Sequence, residues 1–189
     1  MVRCLGCGVT AAFLLFGSAA VARPDDEGGL PSAVFAEVNW VRAHPAEYAE
    51  QLRAAPQTAT TREAIAFLER HAPAPPLAFN AGLGFSAALH ATDEGRHGEF
   101  EHTGTDGSSA GERMQRAGVW AGMLAEEMAA GEDRAEDVVR ALIVDEGVPD
   151  RGHRKDLMDP FLRRAGVGCA SHPVYGVICV IDLASAAPR

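Results

Sequence analysis

The sequence predicts an α+β fold, or a layered αβα sandwich. Segments with helical periodicity and helix-capping residues fill most of the chain, and two β-prone runs close it. This order, with helices first and strands mainly at the end, is typical of that fold class. The chain has 189 residues, of which 47% are hydrophobic, which suits one domain with a real core, and it shows no internal repeat.

The balance of charges excludes several classes of function. Lys and Arg total 17 against 26 Asp and Glu, which gives a formal net charge of −9. An acidic surface repels phosphate backbones, and the basic residues form no patch, so nucleic acid is not an expected partner. The composition is also too apolar for a disordered chain, and no run is long enough for several membrane spans.

The first residues have the features of an export signal. Arg3 supplies a positive charge, an apolar stretch follows, and residues 20–22 (Ala-Val-Ala) fit a small-x-small cleavage site. An uncut signal anchor is the alternative, but the stretch is short for a membrane span, so removal is favoured. We therefore expect a signal peptide at 1–22, a flexible leader at 23–31, and a secreted protein, either periplasmic or extracellular.

Capping residues and apolar spacing predict the helices. A first helix begins near Ser32 and is interrupted at His44-Pro45, after which helical character resumes. Asn80 caps a helix that runs to about His97. Three capping-box signatures mark the starts of further helices: Thr60 with Glu63, Ser109 with Glu112, and Asp133 with Glu136.

The strands are expected mainly at the end of the chain. A strand near residues 122–128 competes with a helix there, because LAEEMAA fits both patterns. Two β-prone runs flank residues 171–173 and are typical of a hairpin, with Cys169 in one run and Cys179 in the other. Directly opposed residues of such a pair lie at disulfide distance. Since an exported protein permits the bond, we expect a disulfide rather than two buried free thiols.

Four segments carry a resemblance to a known family. In chain order they are VNWVRAHPAEYAEQL, HTGTDGSS, AEEMAAG and GHRKDLMDPFLRRAGVGCA, and they are spread from about residue 32 to 184. Their order and spacing resemble the CAP superfamily of SCP-like secreted domains, which includes cysteine-rich secretory proteins, plant pathogenesis-related proteins and venom antigens. The bacterial branch is the most similar. The resemblance implies a three-layer αβα sandwich with a small, mainly antiparallel sheet, over residues 32–186.

The resemblance also implies a cleft that holds two histidines and two acidic residues. Carried over by position, His102 and His153 match the histidines. Glu126 matches the acid of a Gly-Glu-Asn piece, and Asp145 is the best match for the remaining acid. The sequence departs from the family pattern at both acids. The helix before Asp145 lacks the usual aromatic residue, and Glu127 stands where the family commonly has asparagine.

Two imidazoles and two carboxylates in one cleft suit more than one chemistry. Neutral histidine nitrogens and carboxylate oxygens bind a divalent cation such as zinc, and His102 and His153 are the expected ligands, although no cofactor is required. The simpler interpretation is a hydrogen-bonded polar cluster. A Ser-His-acid triad is disfavoured, because Ser108 and Ser109 fit a turn and a helix cap.

These features predict a monomeric ligand-binding module at the cell envelope or outside the cell. Its partner is an unidentified small ligand or an envelope component, and by resemblance alone a lipid or another apolar ligand is a candidate. The alternative is a metal-assisted hydrolase that acts on a peptide or cell-envelope substrate, and a third interpretation is a purely structural role. The sequence assigns no catalytic residue, and no transmembrane domain is expected after signal cleavage.

Overall fold

The computed structural model describes residues 25–54 and 56–186, so the predicted signal peptide lies outside the described residues. None of the helices in this described part is both long enough and apolar enough to span a membrane. In chain order the elements are α1 Asp25–Ala43, α2 Pro45–Arg53, α3 Ala59–Arg70, β1 Ala78–Phe79, α4 Ala81–His97, α5 Ala110–Arg116, β2 Leu124–Ala130, α6 Ala135–Val144, α7 Gly152–Met158, β3 Leu162–His172 and β4 Gly176–Ser185.

The strands form one sheet with the spatial order β1-β3-β4-β2. β1 pairs with β3 in parallel, and the other two pairings are antiparallel. The predicted hairpin is β3–β4, in which Cys169 directly faces Cys179 and forms the expected disulfide with it. β2 lies at the edge of the sheet. Its LAEEMAA sequence is a strand rather than a helix, because all seven residues pair with β4.

Helices cover both faces of the sheet, which confirms the three-layer αβα sandwich. α4 packs along β3 and β4 on one face, and α5 packs against α4 and β2. α1 packs on β3 and α6 packs on β2, and both contribute to the largest apolar cluster. Because neighbouring residues of a strand point to opposite faces, adjacent side chains of β2 lie under different helices.

Glycines allow α4 to lie very close to β3. A Cβ atom at Gly166 would be 1.9 Å from the backbone nitrogen of Gly84, and one at Gly168 would be 2.2 Å from the nitrogen of Ala88. Both obstacles are backbone atoms, which cannot rotate away as a side chain does. The close approach therefore fixes the position of α4, and of the loop that follows it, relative to the sheet.

Three of the predicted helix boundaries are confirmed. Asn80 caps α4, because its Oδ1 accepts a hydrogen bond from the backbone nitrogen of Leu83 at 3.0 Å. Ser109 and Glu112 form a complete capping box at the start of α5. The predicted break at residues 44–45 separates α1 from α2.

At two helices the N-cap lies one or two residues away from the residue that the capping-box pattern predicted. Thr58, not Thr60, is the N-cap of α3, and its side chain accepts from the backbone of the third helical residue. At α6 the N-cap position is Arg134, which makes no side-chain cap, so Asp133 lies just outside the helix. At α3 a second threonine hydroxyl two residues earlier makes the cap, whereas at α6 no side chain caps the helix.

The first helix begins earlier than the sequence predicted. α1 starts at Asp25 rather than near Ser32, and it is broken at Gly29, whose φ of 66° is not helical. Pro31 follows closely, in the first turn of the regular part, where the missing N–H of proline leaves no hydrogen bond unmade. The predicted leader at 23–31 thus overlaps the first, kinked portion of α1.

Candidate functional site

The first predicted pair, His102 and Glu126, is in contact. His102 lies in the loop between α4 and α5, and its Nδ1 donates a hydrogen bond to Glu126 Oε1 at 2.9 Å. Glu126 is buried on β2, whereas 57% of the His102 side chain is exposed. The hydrogen bond to Glu126 is the main cause of a raised pKa at His102. The exposed edge of this imidazole is therefore available to solvent or to a ligand.

Arg113, on α5, neutralises the buried carboxylate of Glu126. Its guanidinium donates to Glu126 Oε2 at 2.6 Å and also to the backbone carbonyl oxygens of Ser108 at 2.8 Å and His102 at 3.0 Å. Burial alone would raise the pKa of Glu126, but the hydrogen bonds from His102 and Arg113 lower it. Arg113 therefore holds both the carboxylate and the loop that carries His102.

Two further residues belong to this part of the site, and the sequence analysis did not assign them. Asp182 lies directly opposite Glu126 on β4, and burial raises the pKa of its carboxyl to about 8. His90, on α4, is buried with its Nε2 3.8 Å from Glu126 Oε1. The signal for Asp182 was a single acid within the apolar run VICVIDLA. His90 offered no signal beyond its place on an apolar helix face.

The second predicted pair, Asp145 and His153, is also in contact. His153 Nδ1 donates a hydrogen bond to Asp145 Oδ1 at 2.7 Å, and the backbone nitrogen of Arg154 donates to Oδ2 at 3.3 Å. Asp145 ends α6 in the left-handed conformation, with a φ of 61°. Aspartate adopts this conformation more readily than most residues. The turn after α6 thus brings Asp145 against the first turn of α7, where His153 lies.

Glu127 faces the second pair. Its Oε2 lies 3.9 Å from His153 Nε2, and its side chain is buried. Burial is the main cause, and the nearby Asp156 the next, of a pKa that rises to about 9. Glu127 is therefore protonated at neutral pH. The imidazole of His153 thus has the carboxylate of Asp145 at one nitrogen and the neutral carboxyl of Glu127 near the other. This arrangement resembles the pairing of a general base with a general acid.

Wild type should lose stability as the pH rises, because the buried carboxyl group of Glu127 must ionise. We expect Glu127→Gln to abolish this loss. The pKa of Glu127 is about 9 in the folded protein and ordinarily 4.5, so folding favours the proton. The contribution of this group is therefore most favourable below about pH 4.5 and falls as the pH rises toward about 9, by at most about 1.4 kcal/mol per pH unit. Urea unfolding of both proteins across this range measures the difference.

The advantage of Glu127→Gln over wild type should increase with pH. Glu99→Gln is the matched control, because Glu99 is exposed, and it should follow the wild-type curve at every pH. A constant difference between wild type and Glu127→Gln would contradict the raised pKa.

The two predicted pairs lie on opposite faces of β2. Glu126 and Glu127 are neighbours in the strand, so their side chains point to opposite faces. Glu126 meets α4 and α5, and Glu127 meets α7. Within the described residues no hydrogen bond or ion pair joins the first pair to the second. The structure thus brings the four predicted residues together as two pairs.

The four predicted residues do not form a shared set of metal ligands. Among residues 29–54 and 56–186, the set of three or more potential ligands whose atoms lie within 4.8 Å of one another is His90, Asp93 and Glu94. Neither His102 nor His153 belongs to this set. Zinc binding by His102 and His153, which the family resemblance implies, therefore stays a prediction.

A pocket of about 410 Å³ opens beside the first pair. It lies between α4, α5 and the loop between them. Phe85 and Leu89 contribute exposed apolar surface, with exposed fractions of 61% and 54%. His90 and Arg113, which contact Glu126, are buried lining residues. The remaining lining residues are Ser86, Asp93, Thr105, Asp106, Ser108, Arg116 and Ala117.

The three-layer sandwich carries one histidine–acid pair on each face of its edge strand. Residues 35–183 match the family model of the cysteine-rich secretory protein family, CAP. The match covers most of the chain, so the chain belongs to this family. No curated protein gives a significant match to the sequence.

Two solved bacterial structures share the fold. An extracellular protein of Bacillus anthracis that contains an SCP domain is 17% identical, with a TM-score of 0.56 over 89% of this chain and 45% of that protein. This chain therefore spans less than half the length of that protein. An outer surface protein of Borrelia burgdorferi is 16% identical, with a TM-score of 0.53 over 80% of this chain and 94% of that protein. At such identities the similarity establishes the fold alone.

Proposed function

We propose that this protein is an exported ligand-binding module that holds a small molecule in the pocket between α4 and α5. The main support for this proposal is the pocket itself, because its volume of about 410 Å³ lies within the range of small-molecule sites, about 300–1,000 Å³. The ligand has an apolar body, which contacts Phe85 and Leu89, and a polar end, which lies near His90 and Arg113. A lipid fragment with a carboxylate or hydroxyl head group has this chemistry.

The exposed apolar side chains support an apolar ligand body. Phe85 and Leu89 lie one helical turn apart on α4 and both line the pocket. Covering two such side chains stabilises a complex by about 25 cal/mol for each Å² of apolar surface removed from water. An apolar patch with a polar rim is typical of a binding surface. The apolar part of the pocket therefore supplies affinity rather than orientation.

Unpartnered polar atoms support a polar ligand end. Two buried residues that line the pocket each have a side-chain atom without a hydrogen-bond partner in the described part of the chain: His90 Nδ1 and Arg113 Nε. Such atoms are costly to leave unpaired in a folded protein. A polar ligand group or a bound water that pairs with them offsets that cost.

The proposed location is outside the cytoplasm, at the cell envelope or beyond it. The first 22 residues have the pattern of a signal peptide. The Cys169–Cys179 bond is stable in an oxidising compartment. The two solved relatives are described as an extracellular protein and an outer surface protein. These three observations agree on export, and they leave periplasm and medium as alternatives.

Binding of a fluorescent fatty acid, cis-parinaric acid, tests the proposed pocket. We expect saturable binding by wild type and at least about tenfold weaker binding by Phe85→Asp, because a charge replaces apolar contact area at the pocket wall. Phe161→Asp is the matched control, since Phe161 is also an exposed phenylalanine but does not line the pocket. Equal binding by the two variants, or no binding by wild type, would contradict the proposal.

A hydrolase that acts on peptide or cell-envelope substrate is the second candidate. The arrangement of Asp145, His153 and Glu127 favours it, because a general base and a general acid are both within reach of one imidazole. The metal assistance expected from the family resemblance stays a prediction, and the arrangement of Asp145, His153 and Glu127 does not depend on it. Activity on such substrates that His153→Ala abolishes, while parinaric acid binding is retained, would favour the hydrolase.

A further inference from the structure

We propose that α4 carries a divalent-cation site formed by His90, Asp93 and Glu94, none of which is a member of the two predicted histidine–acid pairs. The site takes zinc or a cation of similar preference, because one imidazole nitrogen with carboxylate oxygens is a donor set that suits zinc. It shares His90 and Asp93 with the proposed ligand pocket, so a bound cation would occupy His90 Nδ1 in place of the polar end of a ligand.

The helix brings the three ligands to one place. Residues three and four positions apart share one face of a helix, so His90, Asp93 and Glu94 project together. Each offers a ligand atom, and these atoms lie within 4.8 Å of one another. Ligand atoms about 2.0–2.2 Å from a zinc ion lie roughly 3–4 Å apart. The observed spacing therefore needs only small side-chain movements to close on an ion.

The hydrogen bonding of His90 leaves one ring nitrogen free to coordinate. Its Nε2 lies 2.9 Å from the carbonyl oxygen of Glu101. A carbonyl oxygen only accepts, so Nε2 carries the hydrogen and Nδ1 carries the lone pair. Nδ1 is buried and has no hydrogen-bond partner among the described residues. A histidine that donates its second N–H to a backbone carbonyl is the usual arrangement of a metal-bound imidazole.

The carboxylate of Glu94 likewise has one oxygen that is hydrogen-bonded and one that has no partner among the described residues. Its Oε2 accepts a hydrogen bond from the backbone nitrogen of Glu101 at 2.7 Å. Its Oε1 is buried without a partner in the described part of the chain. Two unpartnered acceptors on one buried helix face, His90 Nδ1 and Glu94 Oε1, are expensive unless a cation or a donor binds them.

Asp93 completes the set at its more exposed side. Its carboxylate accepts hydrogen bonds from the backbone nitrogen and the hydroxyl of Thr105, at 2.9 and 2.7 Å. Burial raises the pKa of this carboxyl, but the two hydrogen bonds from Thr105 outweigh burial and lower it. Since Asp93 lines the pocket, an ion reaches the site through the pocket opening.

The three ligands also hold the loop that carries His102. His90 and Glu94 bind the backbone of Glu101, and Asp93 binds Thr105, so His102 lies between the two attachment points. A bound cation would fix all three side chains and thereby rigidify this loop. The site thus has a structural role: the cation stabilises the part of the fold that presents His102.

Calorimetric titration of zinc into tag-free, EDTA-treated protein tests the site. We expect one zinc ion to bind per chain, and Glu94→Gln to weaken binding at least about tenfold, because a neutral amide replaces an anionic ligand. The double variant His102→Ala/His153→Ala should bind as wild type does, since neither histidine is a ligand. Glu99→Gln, an exposed change on the same segment, is the charge control and should also bind normally.

Three results would overturn the proposal. They are no binding by wild type, undiminished binding by Glu94→Gln, and loss of binding in the double variant. Zinc absorption-edge spectroscopy is the second measurement, and it should detect one imidazole per zinc rather than two. If Glu94→Gln does not fold, Asp93→Asn replaces it, because Asp93 is only partly buried. Zinc should then raise the melting temperature of wild type but not that of Asp93→Asn.

Discussion

Gly166→Ala is expected to lower the free energy of unfolding by about 3 kcal/mol or more. The new Cβ atom would lie 1.9 Å from the backbone nitrogen of Gly84 and 2.4 Å from the carbonyl carbon of Leu83. Overpacking in a core costs about 1–3 kcal/mol even when side chains yield, and here the obstacles are backbone atoms. α4 must therefore move away from β3, which opens the packing on that face of the sheet.

Urea unfolding of Gly166→Ala and Gly122→Ala measures this effect. Gly122 is the matched control, because a Cβ atom there would meet nothing within 4 Å. Gly122→Ala should change stability by no more than about 0.5 kcal/mol. Gly166→Ala should also weaken ligand binding, since a displaced α4 moves Phe85 and Leu89. Equal stabilities of the two variants would show that α4 tolerates a larger separation from the sheet.

The elements with strong local signals were predictable from the sequence. Asn80 supplied an acceptor for the start of α4, and Ser109 with Glu112 supplied a reciprocal cap for α5. In the final hairpin, two apolar runs and a short turn placed Cys169 opposite Cys179. In each case the interactions that decide the structure are close in sequence or follow from antiparallel pairing.

Other features depend on contacts that no local pattern reports. Gly166 on β3 packs closely against Gly84 on α4, far earlier in the chain. Because this contact is distant in sequence, the residues around each glycine do not indicate it. LAEEMAA fitted a helix as well as a strand, and pairing with β4 decided between them. Thr60 was the expected cap of α3, but the side chain of Thr58 accepts the hydrogen bond from the backbone nitrogen of Thr61.

The residues of the candidate site also differ in whether they could be predicted from the sequence. The family resemblance identified His102, Glu126, Asp145 and His153, and the structure shows two contacts among them. It did not identify Asp182, which lies opposite Glu126 only because β2 pairs with β4. Nor did the family resemblance place Glu126 and Glu127 on different faces of the sheet. That separation follows from the alternation of an edge strand covered on both sides.

Arg113→Met is expected to destabilise the protein by about 3–5 kcal/mol at neutral pH. Methionine keeps much of the packing volume but removes the cation that faces Glu126 Oε2 at 2.6 Å. Removing one partner of a buried ion pair leaves the other charge uncompensated, which costs about 3–5 kcal/mol. The backbone carbonyl oxygens of Ser108 and His102 lose their donor as well.

The loss in Arg113→Met should depend on pH, and this dependence distinguishes charge from packing. Without the guanidinium, burial still raises the pKa of Glu126 while one of the two hydrogen-bond donors that lower it is lost, so this pKa is higher in the variant than in wild type. The folded variant then favours the proton, so its deficit relative to wild type is smallest in acid and grows as the pH rises. Arg116→Met removes only the exposed ion pair with Asp106 and should cost less than about 1 kcal/mol at any pH. A pH-independent deficit in Arg113→Met would mean that the side chain acts through packing rather than charge.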